Sequence, residues 1–371
     1  MIKNLLYAVL LFFLPFVIPV SAQQGKVDVT FNTVDDGLKG DGFDGTVRTI
    51  SLQADNKLIV GGDYSSLNGI ITSSLSRLNP DGTIDEGFDT GTGFTGKIYS
   101  SLIQQGGKIV LGGSFTSYKG INSGRLIRLN SDGSQDLSFN SSIGALTGII
   151  YNMALQPDGK IIIVGSFTKY NNITVNRIAR INSDGSLDNS FITGPGSPLL
   201  ISDVQVLSNG KILAAGNFIS FNKITANRII CLNSDGSIDN SFNTGTGFDD
   251  DVNTIALQQD GKILLGGNFT SYNGYTANRI IRLNENGSVD ETFTGSGFNN
   301  GSVEIIKIGR SGNIMIGGSF TNHYNNEDVN RLVFLNTDGT VKNDFDIGSG
   351  PGSLSVLALA EDPDESWFIG G

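Results

Sequence analysis

Carboxylates, amides and one histidine are the side chains here from which a reaction or an ion site could be built, and most of them recur at fixed intervals. Asn-x-Asp-Gly-x-x-Asp appears as Asn79-Asp81-Gly82-Asp85, Asn130-Asp132-Gly133-Asp136, Asn182-Asp184-Gly185-Asp188 and Asn233-Asp235-Gly236-Asp239. Oxygen ligands on alternate residues around a turning glycine are the material of a calcium loop. However, Asn284-Asn286-Gly287-Asp290 replaces the central acid and Asn336-Asp338-Gly339 lacks the last one. A calcium site takes about 6 to 8 oxygens, more than one such stretch supplies. Asp-Gly is also hairpin-turn chemistry that needs no ion. Calcium is therefore the one cofactor these stretches could serve, and the expectation is no cofactor and no metal site.

The other candidates have similar alternatives. Gly91 to Phe94 and Gly245 to Phe248 read Gly-Thr-Gly-Phe, and Gly295 to Phe298 reads Gly-Ser-Gly-Phe. They look like phosphate cradles, but each precedes a strand pattern and lacks the helix N-terminus that would hold phosphate. They read as crossovers between units. His323 is the only histidine, so neither a His-rich metal site nor a Ser-His-Asp arrangement can be assembled. Asp249, Asp250 and Asp251 form an acidic run. Composition cannot place two carboxyls at the 5 to 9.5 Å a glycosidase requires, so they read as a solvated loop. Arg125, Arg177, Arg228, Arg279 and Arg331 form one recurring set and Arg77, Arg128, Arg180 and Arg282 a second. Such regularity points to structural ion pairs with the Asp of the following run, since a functional Arg would break the repeat. Cys231 stands where the second set carries Arg and reads as a drifted position, not a nucleophile. Tyr118, Tyr170, Phe221, Tyr272 and Tyr324 recur in one loop, and Phe43, Phe94, Phe248 and Phe298 in another. Tyr with Asn and Gly on a loop suits adaptable protein or sugar contact, so the first five are the candidate ligand-binding residues. The alternative is that each ring caps its own unit's core.

These residues must be positioned by a repeating scaffold. Gly62, Gly113, Gly165, Gly216, Gly267, Gly318 and Gly371 close the same apolar element at steps of 51, 52, 51, 51, 51 and 53 residues, which is the mark of a repeat architecture. In the unit from Asp251 to Asn300, four β-type runs are predicted: Val252 to Gln258, Lys262 to Thr270, Asn278 to Asn284 and Val289 to Thr294. Gln259-Asp260-Gly261-Lys262 predicts a type I′ hairpin between the first two, and Glu285-Asn286-Gly287-Ser288 a second hairpin between the last two. The Gly-Gly pair in the second run marks a bulge or a close approach. Four short antiparallel strands per unit predict a blade of a β-propeller. The two aromatic loop sets are then expected at one end and the Asp-Gly hairpins at the other. A β-solenoid fits worse, because its coils are parallel.

Residues 1–22 read as a secretory signal peptide: Lys3, an apolar stretch from Leu5 to Val20, and a small-x-small pattern at Val20-Ser21-Ala22. The remaining 23–371 would be the propeller, and no later run is long enough to span a membrane. Formal charge is −11 with no basic cluster, which argues against nucleic acid and anionic lipid as partners. One cysteine excludes an internal disulfide.

Six full copies begin near Val47, Ile98, Ile150, Val204, Val252 and Val303. Lys26 to Asn32 matches a fourth run without its predecessors, and Leu354 to Gly371 supplies a first and a second run. Together they predict a seventh blade built from both termini, the closure that removes unpaired edges. No third run is available for that blade, so the chain is expected to be a fragment cut inside it.

The elements LQ-x-DGK-I-x-x-GG-x-F, NR-I-x-R-L-N and DG-S-x-D-x-x-F, repeated from Lys26 to Gly371, resemble the delta-60-type repeats of bacterial β-propellers, a family with no assigned activity. The resemblance implies a propeller domain of secreted or surface proteins, often joined to a C-terminal sorting domain. Kelch and WD-type units lean on a Trp in nearly every blade, and this chain has only Trp367. The expectation is thus an all-β, seven-bladed propeller of four-stranded antiparallel blades, its incomplete last blade shared between the termini. It is expected to be an exported, monomeric binding or scaffolding module for protein or carbohydrate at the loop face. The alternative is a carbohydrate-active hydrolase or lyase at the central channel. Asp35 to Gly45 and Thr193 to Ser202, the connections least like the repeat, are where either site is sought.

Overall fold

In a computed structural model, the residues described are 28, 30–33, 42–139, 147–325, 327–343, 345, 350–352 and 355–371. The signal-peptide reading of 1–22, the start of the off-beat first segment and most of the loop from Asp35 to Gly45 lie outside them. All elements of the described residues are β-strands.

The fifth repeat shows the unit. Its first strand, Val252–Leu257, pairs antiparallel with the second, Ile263–Gly267, which pairs with the third, Ile280–Leu283. Where four strands are expected per blade, the fourth run is reduced to a single bridge, Leu283↔Val289. The cause is local. Asp290 Oδ1 accepts from the Thr292 amide at 3.2 Å and hydroxyl at 2.7 Å, and the Phe293 amide donates to the Asp290 carbonyl at 3.2 Å. These side-chain bonds curl the chain away from the ladder.

Turn chemistry also differs from the expectation. At Gln258 to Lys262 only Gly261 has a positive φ, 84°, and the Gln258 amide donates to the Lys262 carbonyl at 2.9 Å. This is a type I turn followed by a left-handed glycine, not a type I′ turn. The type I′ geometry occurs instead in the loop after the second strand. There Ser271–Tyr272 and Tyr275–Thr276 form a small hairpin around Asn273 (φ 48°) and Gly274 (φ 82°).

The Gly-Gly pairs have two uses. In the fifth repeat Val252 pairs with Gly267 and Thr254 with Gly266, so Asn253 is an extra, bulged residue on the first strand. The second glycine of the pair admits the bulge, since a Cβ on Gly267 would strike the Asp251 carbonyl. The first glycine receives the next blade: a Cβ on Gly61 would lie 2.7 Å from Ile98, and one on Gly112 2.8 Å from Ile150. Gly266 meets Val303 and Gly317 meets Val356 in the same way.

Cores lie between repeats. Leu213, Ala215 and Ile229 of the fourth pack with Val252, Ile255, Ile263 and Leu265 of the fifth. The last strands, Ala358–Glu361 and Trp367–Gly370, pair with each other. Val356, Leu359 and Trp367 pack on Met315 and Leu332 of the sixth repeat, while Ala358 and Phe368 pack with Val47, Leu58 and Val60 of the first. A Cβ on Gly370 would lie 2.5 Å from Val47, the relation Gly61 has to Ile98. Phe31 lies against Phe368 with ring centroids 5.3 Å apart, and the Asn32 amide donates to the Asp81 carbonyl at 2.7 Å. Asn243 makes the same bond to Asn286 at 2.9 Å.

Candidate functional site

The first strands of successive repeats touch one another, and Ala358–Glu361 touches those of both the first and the sixth. Side by side they form one wall. Each carries its bulge at the same place, and the bulged residues are Arg48, Tyr99, Tyr151, Ser202, Asn253 and Glu304. A bulged residue leaves the ladder and is re-aimed by it. The residue just before each bulge stays Val or Ile: Val47, Ile98, Ile150, Ile201, Val252 and Val303. Constancy at one position and change at the next separates scaffold from site.

These side chains interact along the wall. The Arg48 guanidinium lies 4.8 Å from the Tyr99 ring centroid, and the Tyr99 and Tyr151 rings meet edge to face at 5.0 Å. Burial, with Tyr99 beside it, pushes the Tyr151 phenol up. On the fifth and sixth repeats Asn253 Nδ2 donates to Glu304 Oε2 at 3.3 Å and to the Val303 carbonyl at 3.1 Å. The wall therefore offers a cation backed by two aromatic rings on three adjacent blades, and an amide–carboxylate pair on two others.

One residue further along, hydrogen bonds join the first strands of the second, third and fourth repeats and reach the fifth. Ser100 Oγ donates to Asn152 Oδ1 at 3.3 Å, Asn152 Nδ2 donates to Asp203 Oδ1, and Asp203 Oδ2 accepts the Ile255 amide at 2.6 Å. Asp203 also accepts the Val204 amide at 2.6 Å. Burial raises its carboxyl to about 6 against these bonds. Lys307, exposed on the first strand of the sixth repeat, has its ammonium pushed down by desolvation from the protein around it, partly offset by Asp203. A hydrolase would need facing carboxyls; Asp203 and Glu304 are each tied to neighbouring amides or hydroxyls.

The five aromatic residues offered as ligand contacts lie elsewhere. Tyr118, Tyr170, Phe221, Tyr272 and Tyr324 are at most 1% exposed. The phenols of Tyr118, Tyr170, Tyr272 and Tyr324 donate to the carbonyls of Gly133, Gly185, Gly287 and Gly339 at 2.6 to 2.9 Å. These rings cap blade cores, because a buried hydroxyl must find an acceptor, and burial withdraws them from a ligand. The same bonds bring the tyrosine loop against the second Asp-Gly turn, so the two do not occupy opposite ends.

The second arginine set forms the ion pairs its regularity suggests, whereas Arg177, Arg228 and Arg279 of the first set donate to backbone carbonyls instead. Arg180 Nε lies 2.7 Å from Asp188 Oδ2, Lys160 joins at 2.9 Å, and Arg180 Nη1 reaches the Ser234 carbonyl in the next blade. Its guanidinium sits 4.8 Å from the Phe191 centroid. Arg77, Arg128 and Arg282 repeat the pair with Asp85, Asp136 and Asp290. In the fourth repeat Cys231 removes the cation, leaving Asp239 with Lys211 at 2.7 Å. In the sixth, Phe334 packs tilted against Phe345 at 4.7 Å and meets Trp367 edge to face at 6.0 Å. The first arginine set occupies left-handed backbone, with φ from 60° to 72°.

The calcium-like oxygens are spread over this framework. Asp184 Oδ1 accepts from the amide and hydroxyl of Ser186, while Asp188 holds Arg180. Among the described residues no three His, Cys, Asp or Glu side chains group as a metal site. In the Gly-Thr-Gly-Phe crossover the Gly247 amide is spent on the Thr244 carbonyl. Asp249 caps Thr270 and Ser271, and His323 pairs with Asp328 at 2.8 Å on an exposed hairpin.

A family described as a domain of unknown function (DUF5122) beta-propeller matches residues 53–88, 104–139, 156–191, 207–242, 258–293 and 310–345. The chain belongs to this family. Every bulged residue falls outside the matched DUF5122 segments, Arg48 before the first and the other five between consecutive ones, so the repeating text does not reveal this candidate site. What could have revealed it is the column Arg, Tyr, Tyr, Ser, Asn, Glu beside an unchanging Val or Ile. No curated protein matches the chain. Among solved structures, the WD40 beta propeller domain of Doa1 is similar at a TM-score of 0.60 and 16% identity, covering 89% of this chain and 91% of that one. The extracellular domain of a putative hybrid two component system, BT4673 from B. thetaiotaomicron, has a TM-score of 0.56 and 12% identity, covering 90% of this chain but 38% of that one. YCF48 bound to D1 peptide has a TM-score of 0.51 and 12% identity, covering 90% of this chain and 92% of that one. These likenesses establish the propeller-like fold. No helix among the described residues is long and apolar enough to cross a membrane.

Proposed function

We propose that this protein is an exported, monomeric, seven-bladed β-propeller that binds a protein segment or a carbohydrate at the mouth of its central channel, through Arg48, Tyr99, Tyr151, Asn253 and Glu304. The observation that carries the reading is the column of bulged residues, which changes from blade to blade while its neighbours do not. Core packing recurs in every unit and supplies no reason for Arg, Tyr and Glu to share one backbone position. Aromatic rings with an Arg are the usual anchors of an interface. The peptide on YCF48 and the extracellular setting of the BT4673 domain accord with a binding module and with the signal-like residues 1–22.

Seven blades are favoured by the last strand pair. It lies between the sixth and first repeats, offers Gly370 to Val47 as Gly61 is offered to Ile98, and receives Phe31 where a fourth run would lie.

The test is a screen of the purified chain on peptide and glycan arrays, followed by titration of the best hit against Tyr99→Ala/Tyr151→Ala. Binding should fall at least tenfold while the melting temperature stays within a few degrees. Undiminished binding by the double variant would place the contact elsewhere and overturn the assignment.

A further inference from the structure

Two clefts open at successive blade junctions, and they are the same cleft twice. One, of about 320 Å³, lies between the fourth and fifth repeats, and the other, of about 290 Å³, between the third and fourth. Each is walled by the arginine that starts a third strand, by the glycine-rich crossover and by the small hairpin of the following blade. Arg228 and Arg177 occupy equivalent places, as do Ser271 and Ser220.

The crossovers are anchored alike. Asn273 Oδ1 accepts the Thr246 amide at 3.1 Å in one, and Asn222 Oδ1 accepts the Gly196 amide at 2.8 Å in the other. The Asn176 side chain holds the Pro195 carbonyl at 2.7 Å, as Asn227 holds that of Thr246. Both clefts are therefore preformed.

Their chemistry is opposite. Phe248, which fills its blade's edge against Phe269 and Tyr272, is replaced by Ser197. Asp249 is replaced by Pro198 and Gly274 by Lys223. The junction of the third and fourth repeats thus loses a ring and a carboxylate and gains a cation. Arg177 spends two N–H groups on carbonyls, Nη1 to Phe167 at 3.3 Å and Nη2 to Pro198 at 2.9 Å. Among the described residues neither Arg177 nor Lys223 makes an ion pair, and no Asp or Glu lines this cleft. On a chain of net charge −11, a preformed cleft with two cations and no acid favours an anion.

We propose that the cleft formed by Arg177, Lys223 and the Gly194–Pro198 crossover binds the anionic group of a small ligand, a carboxylate or a sulfate ester such as an acidic sugar carries. This site is separate from the channel mouth and does not depend on the reading given for it.

The test is calorimetric titration of the full chain with glucuronate, with a glucose sulfate ester and with inorganic sulfate. Pro198→Asp restores the carboxylate of the sister cleft, and Lys223→Asn installs the residue that Asn172 supplies in the third blade. Each variant should weaken binding at least tenfold without shifting the melting temperature, whereas Arg228→Gln in the sister cleft should leave it unchanged. Glucuronate binding in preference to the sulfate ester would assign a carboxylate, and the reverse a sulfate ester. Absence of binding by all three probes at millimolar concentration would overturn the proposal, and so would binding that Pro198→Asp leaves intact.

Discussion

Replacing Arg180 by Cys copies into the third blade the residue the fourth carries naturally at Cys231. The substitution removes a 2.7 Å bond to Asp188, a contact of Nη1 with the Ser234 carbonyl in the next blade, and a guanidinium 4.8 Å from Phe191. Hydrogen bonds of a charged group contribute about 1.5–3 kcal/mol each, and the ring contact about 0.5–1 kcal/mol. Against this, Lys160 remains on Asp188 at 2.9 Å and the arginine no longer has to be desolvated. The expected net loss is therefore about 2–4 kcal/mol, somewhat below the roughly 3–5 kcal/mol of breaking a buried pair outright. With a denaturant slope of about 3 kcal/mol per M for a chain of this size, the urea midpoint should fall by roughly 1 M. The pH dependence gives an independent reading. Although burial raises Asp188, Ser190, Lys160 and Arg180 hold it well below the ordinary carboxylate range. Its contribution is present above the unfolded value of about 3.9 and lost as pH falls through the folded one, so the variant should lose stability to acid at a higher pH than the parent. Cys231→Arg is expected to move the midpoint the other way, by less, because the fourth blade is packed around a cysteine only 2% exposed. A midpoint for Arg180→Cys within 0.2 M of the parent, by an order-of-magnitude reading of the same slope, would refute the claim that these arginines bind blade to blade.

Three further outcomes can be checked on the same chain. Burial raises Asp203 to about 6, so its ionisation opposes folding at neutral pH and is relieved as pH falls below that value. The melting temperature should rise from pH 7 to pH 5, and Asp203→Asn should flatten that rise; an unchanged slope would show that another group titrates. Gly370→Val should cost about 1–3 kcal/mol by overpacking Val47, as Gly266→Val should against Val303. A cost at Gly266 with none at Gly370 would argue against a closed ring. Tyr272→Phe removes the 2.8 Å bond to the Gly287 carbonyl and should cost about 1 kcal/mol in thermal melts without altering ligand binding. A loss of binding instead would return the tyrosine loop to the site.

Much of the fold is legible in the sequence because each demand recurs. Gly62 and its counterparts set the period, the Asp-Gly turns set the hairpins, and the Arg column announces its Asp partners. What misleads is local competition. The run beginning at Val289 has the composition of a strand, but Asp290 bonds Thr292 and ends the ladder after one bridge. Asn273-Gly274 forms the type I′ hairpin because both residues tolerate left-handed backbone, while Gln259-Asp260-Gly261 needs only its glycine there. Tyr118, Tyr170, Phe221, Tyr272 and Tyr324 look available because Asn and Gly surround them, yet they turn inward and cap the core. Arg48, Tyr99, Tyr151, Asn253 and Glu304 escape notice for the opposite reason: a single bulged residue per unit leaves no motif, only a column that refuses to repeat.

That bulge has an evolutionary meaning. Most of the matched family text in each unit is committed to packing, hairpins or the Arg–Asp pair, so substitutions there are penalised by the neighbouring blade as well as by their own. The bulged residue stands outside the ladder and spends no backbone pairing on its identity. Substitution there can therefore leave the frame undisturbed, although neighbours that touch, Arg48 with Tyr99 and Tyr151 and Asn253 with Glu304, would change together. If the proposed site holds, a lineage with this scaffold would change its ligand through a handful of point substitutions at Arg48 and its five counterparts, while the rest of the chain continued to read as the same repeat.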